Sequence, residues 1–160
     1  MKTLFRILAA IFLISFPANA FAAVGTVTVT QDQIFLANGV QTQRVILLTC
    51  VGSVSGGDVP ATTLSSAALN LGKLAGWRII RFIVENDSGD TNVTDDSDIY
   101  LKDSGGTDHL LGQGVDALDD DTRNYVRLSW KDPIIGDPIF TTANQATNSG
   151  QYTVTFIFSL

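Results

Sequence analysis

Carboxylates are the largest group of side chains in this chain that could do chemistry. They concentrate in residues 87–98, a stretch that also contains Gly, Ser, Thr and Asn, and in residues 116–121. Calcium takes roughly six to eight oxygen ligands, and flexible Asp-rich loops supply them. The first stretch lacks the regular alternation and closing Glu of an EF-hand, so solvated acidic loops are the competing interpretation. Candidate ligands for a calcium ion between the two stretches are Asp87, Asp90, Asp95, Asp96, Asp119 and Asp120.

Nucleophilic catalysis needs a nucleophile, a nearby base and a group that orients the base. Cys50 is the only Cys and His109 the only His. Cys50 lies in the apolar run 45–51, which favours a buried thiol over an intermolecular disulfide or a reactive nucleophile. His109 follows a predicted turn, which indicates an exposed hairpin residue. One His and one Cys also disfavour a zinc site, so we expect a chain that is not an enzyme.

Aromatic side chains offer a third kind of chemistry, the stacking of sugar rings. Trp77, Tyr100, Tyr125 and Trp130 would have to share one face to form such a platform. All four lie within alternating segments, which favours core packing for the two Trp residues at least. A sugar-binding face is the alternative.

The segments that contain these residues have the hydrophobic patterns of β-strands throughout. Val alternates with Thr near the start of the pattern, and Asn38-Gly39 is a strong turn signal. Residues 41–51 are continuously apolar in their middle, which predicts a central strand buried on both faces. Short strands with frequent turns predict one all-β domain, an antiparallel β-sandwich or jelly roll. The predicted strands are residues 24–30, 34–36, 41–51, 76–85, 98–102, 107–111, 124–130, 139–142 and 151–160.

Local expectations follow from the same pattern. Residues 31–33 are a polar break between strands, and residues 98–102 pair with 107–111 as a hairpin. Residues 62–74 have helical spacing but include Gly72, so they form a short helix or an irregular connection. Strict alternation in residues 76–85 places Arg81 on the same face as Trp77 and Ile79.

The first 22 residues have the pattern of a secretion signal. Lys2 and Arg6 precede the apolar run 7–16, and small residues at 18–22 suit cleavage after Ala22. An uncleaved membrane anchor is the alternative, although Pro17 interrupts the apolar stretch. We therefore expect a signal peptide over 1–22, a β-sandwich over 23–160, and a secreted, periplasmic or cell-surface location.

The negative net charge of the chain disfavours nucleic acids and anionic membranes as partners. The chain has 16 acidic and 10 basic residues, and Glu85 is the only Glu among the acidic ones. Loss of Lys2 and Arg6 with the signal would change the net charge from −6 to −8. Nucleic-acid binding needs clustered basic residues, and anionic membranes repel an acidic surface. We therefore expect neither nucleic acid nor membrane as a partner after cleavage.

The middle and end of the chain resemble a known group of proteins. The resemblance rests on Gly76-Trp77-Arg78-Ile79, the segments 98–103 and 106–114, the run 120–123, the connection 133–138 and the final segment 152–158. These segments are similar to those of small β-sandwich proteins found among the virion structural genes of tailed bacteriophages. The resemblance implies a non-enzymatic structural role, as a decoration or fibre-associated subunit. The secretion signal and the lack of Pro near Gly89 or Asp90 depart from that group.

These observations lead to one functional expectation and one alternative. We expect an exported structural subunit that self-assembles or decorates an extracellular or virion-like surface. Strand donation by residues 24–30 and 152–160 to a neighbour's sheet edge is a physical route to such assembly. The alternative is a calcium-dependent module that binds carbohydrate or another surface.

Overall fold

The computed structural model describes residues 24–64, 73–86, 93–95, 97–119, 123–128, 132–145 and 149–160. Within these ranges the chain is all-β, without a helix. The predicted signal peptide lies outside the described residues. The strands are β1 (Thr26–Ala37), β2 (Val40–Val51), β3 (Thr62–Thr63), β4 (Arg78–Asn86), β5 (Asp98–Lys102), β6 (Asn124–Arg127), β7 (Ile139–Ala143) and β8 (Gln151–Ser159).

The strands form two antiparallel sheets, which confirms the predicted all-β sandwich. The larger sheet has five strands in the order β1-β2-β8-β4-β6, and the smaller has three in the order β3-β7-β5. β8 is hydrogen-bonded to β2 on one side and to β4 on the other. Donation of β8 to a neighbour would therefore remove the centre of its own sheet. Of the two segments predicted for donation, β1 is the one at a sheet edge.

The core lies between the sheets and is built by alternating side chains. In β2, residues Arg44, Ile46, Leu48 and Cys50 are buried while the residues between them are half-buried. The prediction that this strand is buried on both faces is therefore wrong, although its central position is confirmed. The rings of Phe140 and Phe156 join the two sheets, edge to face with centroids 6.0 Å apart.

The β1–β2 hairpin confirms one prediction and corrects another. Asn38 and Gly39 have φ angles of 54° and 78°, as an Asn-Gly hairpin turn requires. β1 runs without a break through the polar residues 31–33. The register shifts between Val29 and Gln31, because a β-bulge there absorbs one residue.

A second bulge changes the face to which Arg81 belongs. In the pairing of β4 with β8, the register shifts between Ile79 and Arg81. Trp77, Ile79 and Phe82 are buried, whereas Arg81 is half-buried and paired with Ile157 on the outer face. Strict alternation placed Arg81 with Trp77, and that prediction is wrong because the extra residue reverses the alternation.

The predicted hairpin of residues 98–102 with 107–111 is also wrong. β5 pairs with β7, and only an isolated bridge joins Lys102 to Asp108. The Asp108 carboxylate accepts backbone hydrogen bonds from Leu110 and Gly112, which curl this segment into turns instead of a strand. In the ambiguous stretch 62–74, Thr62–Thr63 is a strand, while residues 65–72 lie outside the described residues.

Candidate functional site

Exposed apolar side chains cluster at the tip of the β1–β2 hairpin. β8 pairs with β2 only as far as Gln43, so among the described residues no third strand pairs with the hairpin beyond that point. One hydrogen bond, from the Leu160 N–H to the Thr42 carbonyl (3.4 Å), reaches this part of the hairpin. We call residues 34–42 the arm. Its exposed apolar side chains are Ile34 (44%), Phe35 (47%), Leu36 (63%) and Val40 (64%).

A partly buried ion pair holds the base of the arm. The Arg44 guanidinium donates to both carboxylate oxygens of Asp32, from Nε at 2.8 Å and from Nη2 at 2.7 Å. The Arg44 side chain is 4% exposed and that of Asp32 is 28% exposed. Such a bidentate pair fixes orientation as well as distance, so it ties β1 to β2 where the arm leaves the sheet.

A groove of about 670 Å³ lies beside the arm on the outer face of the five-stranded sheet. Val45 and Ile157 form an apolar floor, and Phe35 of the arm lines one side. Arg81 of β4 and Arg127 of β6 line the other side and are direct Cα partners across the two strands. Among the described residues, no carboxylate pairs with either guanidinium. The groove therefore combines apolar surface with two uncompensated positive charges.

The two predicted acidic stretches meet at the opposite end of the sandwich. Ser97 and Leu118 form a bridge, in which each N–H donates to the other's carbonyl at 3.1 and 3.0 Å. This bridge brings the segment containing Asp95 beside the segment containing Asp119. We call this end of the sandwich, where β4 ends, the acidic end. The other end, where β4 begins and the arm lies, is the arm end. The other calcium candidates, Asp87, Asp90, Asp96 and Asp120, lie outside the described residues.

Within the described ranges, no three His, Cys, Asp or Glu residues are grouped so that they could hold a metal ion. Asp98, in the first acidic stretch, is 6% exposed and accepts hydrogen bonds from the Tyr100 hydroxyl, the Asn144 amide and the Asp116 N–H. The hydrogen bond to Asp98 raises the pKa of Tyr100. This carboxylate serves the fold by joining β5 to two loops.

Other Asp residues are used in the same way. Asp103 Oδ1 accepts the backbone N–H groups of Gly105 and Thr107, both at 2.9 Å, and the bond from Thr107 is the main reason that the pKa of Asp103 is lowered. Short Asp side chains reach the backbone two to four residues ahead, as Glu does not. The preference for Asp, with Glu85 as the only Glu, is the sequence signal for this role.

The two residues considered for catalysis lie in different parts of the fold, Cys50 in a strand and His109 in a turn. Cys50 is buried in β2, where burial raises the pKa of its thiol to about 12 and so opposes formation of a thiolate. The His109 side chain is only 7% exposed, with Nε2 3.6 Å from Asp103 Oδ2. The prediction of an exposed His109 is therefore wrong, because the turns after Asp108 fold the ring back onto the β5–Asp103 corner.

The four aromatic residues do not form one platform. Trp77 is 6% exposed, which confirms core packing, and Trp130 lies outside the described residues. Tyr100 belongs to the three-stranded sheet, beneath the Lys102 ammonium at 4.2 Å. Tyr125 is 60% exposed on β6, an edge strand of the five-stranded sheet, with the Arg123 guanidinium 5.0 Å from its ring.

Comparison with protein-family models, with curated proteins and with solved structures finds no match for this chain. Among the described residues, no helix is long and apolar enough to span a membrane. The observations that bear on function are therefore the geometry and charge of the described residues.

Sequence reasoning missed the arm and the arginine groove. The signal for the arm was the apolar cluster that flanks Asn38-Gly39, which a β-sandwich would ordinarily bury. The signal for the groove was a pair of Arg residues, 81 and 127, within otherwise apolar strands of an acidic chain. Neither signal could be interpreted without knowing that β8 stops short of the arm and that β6 lies beside β4.

Proposed function

We propose that this chain is an exported, non-enzymatic structural subunit that assembles with further copies of itself, as part of an extracellular or virion-like surface structure. The observation that carries this proposal is the arm. It has four exposed apolar side chains, and two of them, Leu36 and Val40, lie beyond the last β2 residue that pairs with β8.

Both the two-stranded form and the apolar surface of the arm favour contact with another subunit. A two-stranded ribbon is marginally stable in water, and clustered apolar side chains on a surface mark interaction sites. Burial of each large aliphatic side chain contributes about 1.5–3 kcal/mol. A second copy that covers Leu36 and Val40 would supply the third layer that the arm lacks within its own subunit.

Two further observations support the other parts of the proposal. The sequence pattern of residues 1–22 favours export. The raised pKa of the buried Cys50 thiol disfavours a nucleophilic centre built from Cys50 and His109, and the His109 ring lies against Asp103 instead.

The test is the molar mass of the purified protein, measured by light scattering over a hundredfold range of concentration. We expect the mass to rise above that of one chain as concentration increases. A strictly monomeric protein over that range would overturn the proposal.

Variants then locate the contact. Leu36→Ser combined with Val40→Ser should weaken self-association by about a hundredfold, since each loses roughly 1.5 kcal/mol of apolar burial. Ile135→Ser is the matched control, because Ile135 is 71% exposed but lies outside the arm. Equal weakening by the control variant would contradict a contact made by the arm.

A calcium-dependent carbohydrate- or surface-binding module is the second candidate function. The Ser97–Leu118 bridge favours it, because that bridge places the Asp95 and Asp119 segments side by side. If calcium binds there, millimolar calcium should raise the melting temperature, and Asp95→Asn with Asp119→Asn should abolish the rise. The absence of any calcium-dependent thermal shift in the unaltered protein would exclude this function.

A further inference from the structure

The pairing of Arg81 with Arg127 is unfavourable for the isolated subunit. The two residues are direct Cα partners in neighbouring strands, and like charges directly opposite each other destabilise a sheet. Two other arginines have acidic partners: Arg44 pairs with Asp32, and Arg123 pairs with Glu85 at 3.3 Å. A pair of positive charges that the described residues do not neutralise attracts an anion from outside the subunit.

The surroundings of the pair strengthen its attraction for anions. Val45, Ile157 and Leu128 line the same groove as the two guanidinium groups, and apolar surroundings weaken the screening of charge by water. Arg78 adds a third positive charge at the start of β4, paired with the uncharged Ser159. The acidic residue on the outer face of β4 is Glu85, seven residues further along at the acidic end and already paired with Arg123.

Charge complementarity identifies the occupant. Asp116 is exposed at the acidic end, where the Ser97–Leu118 bridge joins the segments that contain Asp95 and Asp119. The groove lies at the arm end, where β4 begins, and the acidic carboxylates lie where β4 ends. One subunit therefore presents an arginine-lined surface and an aspartate-lined surface at opposite ends of the same sandwich.

We propose that the groove between Arg81 and Arg127 binds carboxylates at the acidic end of a second copy, so that subunits join head to tail. This inference rests on the proposed self-assembly and specifies its polarity. The two contacting surfaces differ, so the contact is heterologous and continues into an open filament or closes into a ring. The arm, which lines the groove through Phe35, lies against the same neighbour.

Three variants test the polarity. The first variant, which lacks the arginine surface, is Arg81→Gln with Arg127→Gln, and the second, which lacks the aspartate surface, is Asp116→Asn with Asp119→Asn. Lys102→Gln is the matched control for loss of positive charge, since Lys102 lies on the three-stranded sheet. We expect each double variant to self-associate at least about tenfold more weakly, and the control to associate as the unaltered protein does.

A mixture of the two double variants gives the decisive measurement. The intact aspartate surface of the first variant can bind the intact arginine surface of the second, but the resulting dimer cannot grow. Light scattering should therefore show each variant as a monomer alone and a dimer that stops at 1:1 on mixing. The association of the unaltered protein should weaken as sodium chloride increases, because the contact is between charges.

The possible outcomes separate this inference from the proposal on which it rests. A strictly monomeric unaltered protein overturns both. Undiminished assembly of the arginine variant, or a mixture that fails to form a 1:1 dimer, overturns the head-to-tail contact and leaves assembly through the arm intact. Weak assembly caused by misfolding is recognised by a lower melting temperature, whereas removal of two like charges should leave that temperature equal or slightly higher.

Discussion

Two arginines near the arm end of the same sheet have opposite surroundings. Arg44 points to the inner face, is 4% exposed, and donates two short hydrogen bonds to Asp32. Arg81 points to the outer face and lies opposite Arg127. The first charge has its partner within the subunit and serves the fold, whereas the second raises the energy of the free subunit. The difference separates a structural charge from one available to a ligand.

Replacing Arg44 and Arg81 one at a time tests whether each charge serves the fold. Arg44→Met should lower the free energy of unfolding by about 2 kcal/mol, because Asp32 is left without its partner in a partly buried site. Arg81→Met should leave the free energy of unfolding unchanged or raise it by about 0.5 kcal/mol, since it relieves like-charge repulsion. Chemical denaturation measures both, and equal destabilisation by the two variants would show that Arg81 also serves the fold.

The same distinction applies to the carboxylates. Asp98→Asn should cost about 2 kcal/mol, because the amide directs a donor toward groups that already donate to Asp98. Asp137→Asn, at an exposed position in the connection before β7, should change stability by no more than about 0.5 kcal/mol. Thermal unfolding of the two variants provides the measurement. If Asp98→Asn left the melting temperature unchanged, the fold would not depend on the Asp98 carboxylate.

A smaller effect is expected at the tip of the arm. Gly39 has a φ of 78°, and an added Cβ would meet no atom within 4 Å. Gly39→Ala should therefore cost about 1 kcal/mol from backbone strain alone. Amide hydrogen exchange should show faster opening in residues 34–42, while Gly56→Ala, where the nearest atom is 3.8 Å away, leaves exchange in the arm unchanged.

The inner face should also be closed to reagents. Cys50 is buried and the pKa of its thiol is raised to about 12, so a thiol reagent at pH 8 should not modify the folded protein. The same reagent should modify one thiol per chain in denaturant. Rapid modification under native conditions would show that the two sheets separate readily around Cys50.

Much of the fold could be predicted from local pattern. Alternation located β4, β5, β7 and β8 to within a few residues, and Asn38-Gly39 identified the hairpin turn. The three register shifts, two in the pairing of β1 with β2 and one in the pairing of β4 with β8, could not be predicted, because one extra residue leaves no local sign yet changes the face of the side chains that follow it. The pairing of β5 with β7 was missed because it joins residues about forty positions apart, and no local pattern reports such a neighbour.

The candidate sites, like the fold, could be predicted where local composition determines them and not where distant contacts do. The acidic stretches were evident from composition, but their meeting through Ser97 and Leu118 depends on the path of the loops. The arginine groove depends on three separate strands and on the bulge before Arg81. Residue type alone suggested that Asp residues bind a ligand, whereas several of them turn out to cap the backbone.

The central position of β8 determines when the molecule can fold. β2 and β4 are neighbours of β8 but not of each other, so the larger sheet cannot form until residues 151–159, the last strand along the chain, are available. During synthesis the earlier strands remain without their common partner, and folding waits on a contact between distant parts of the chain. Local pairs such as the β1–β2 hairpin can form earlier, but the larger sheet is completed only after residue 159 has been synthesised.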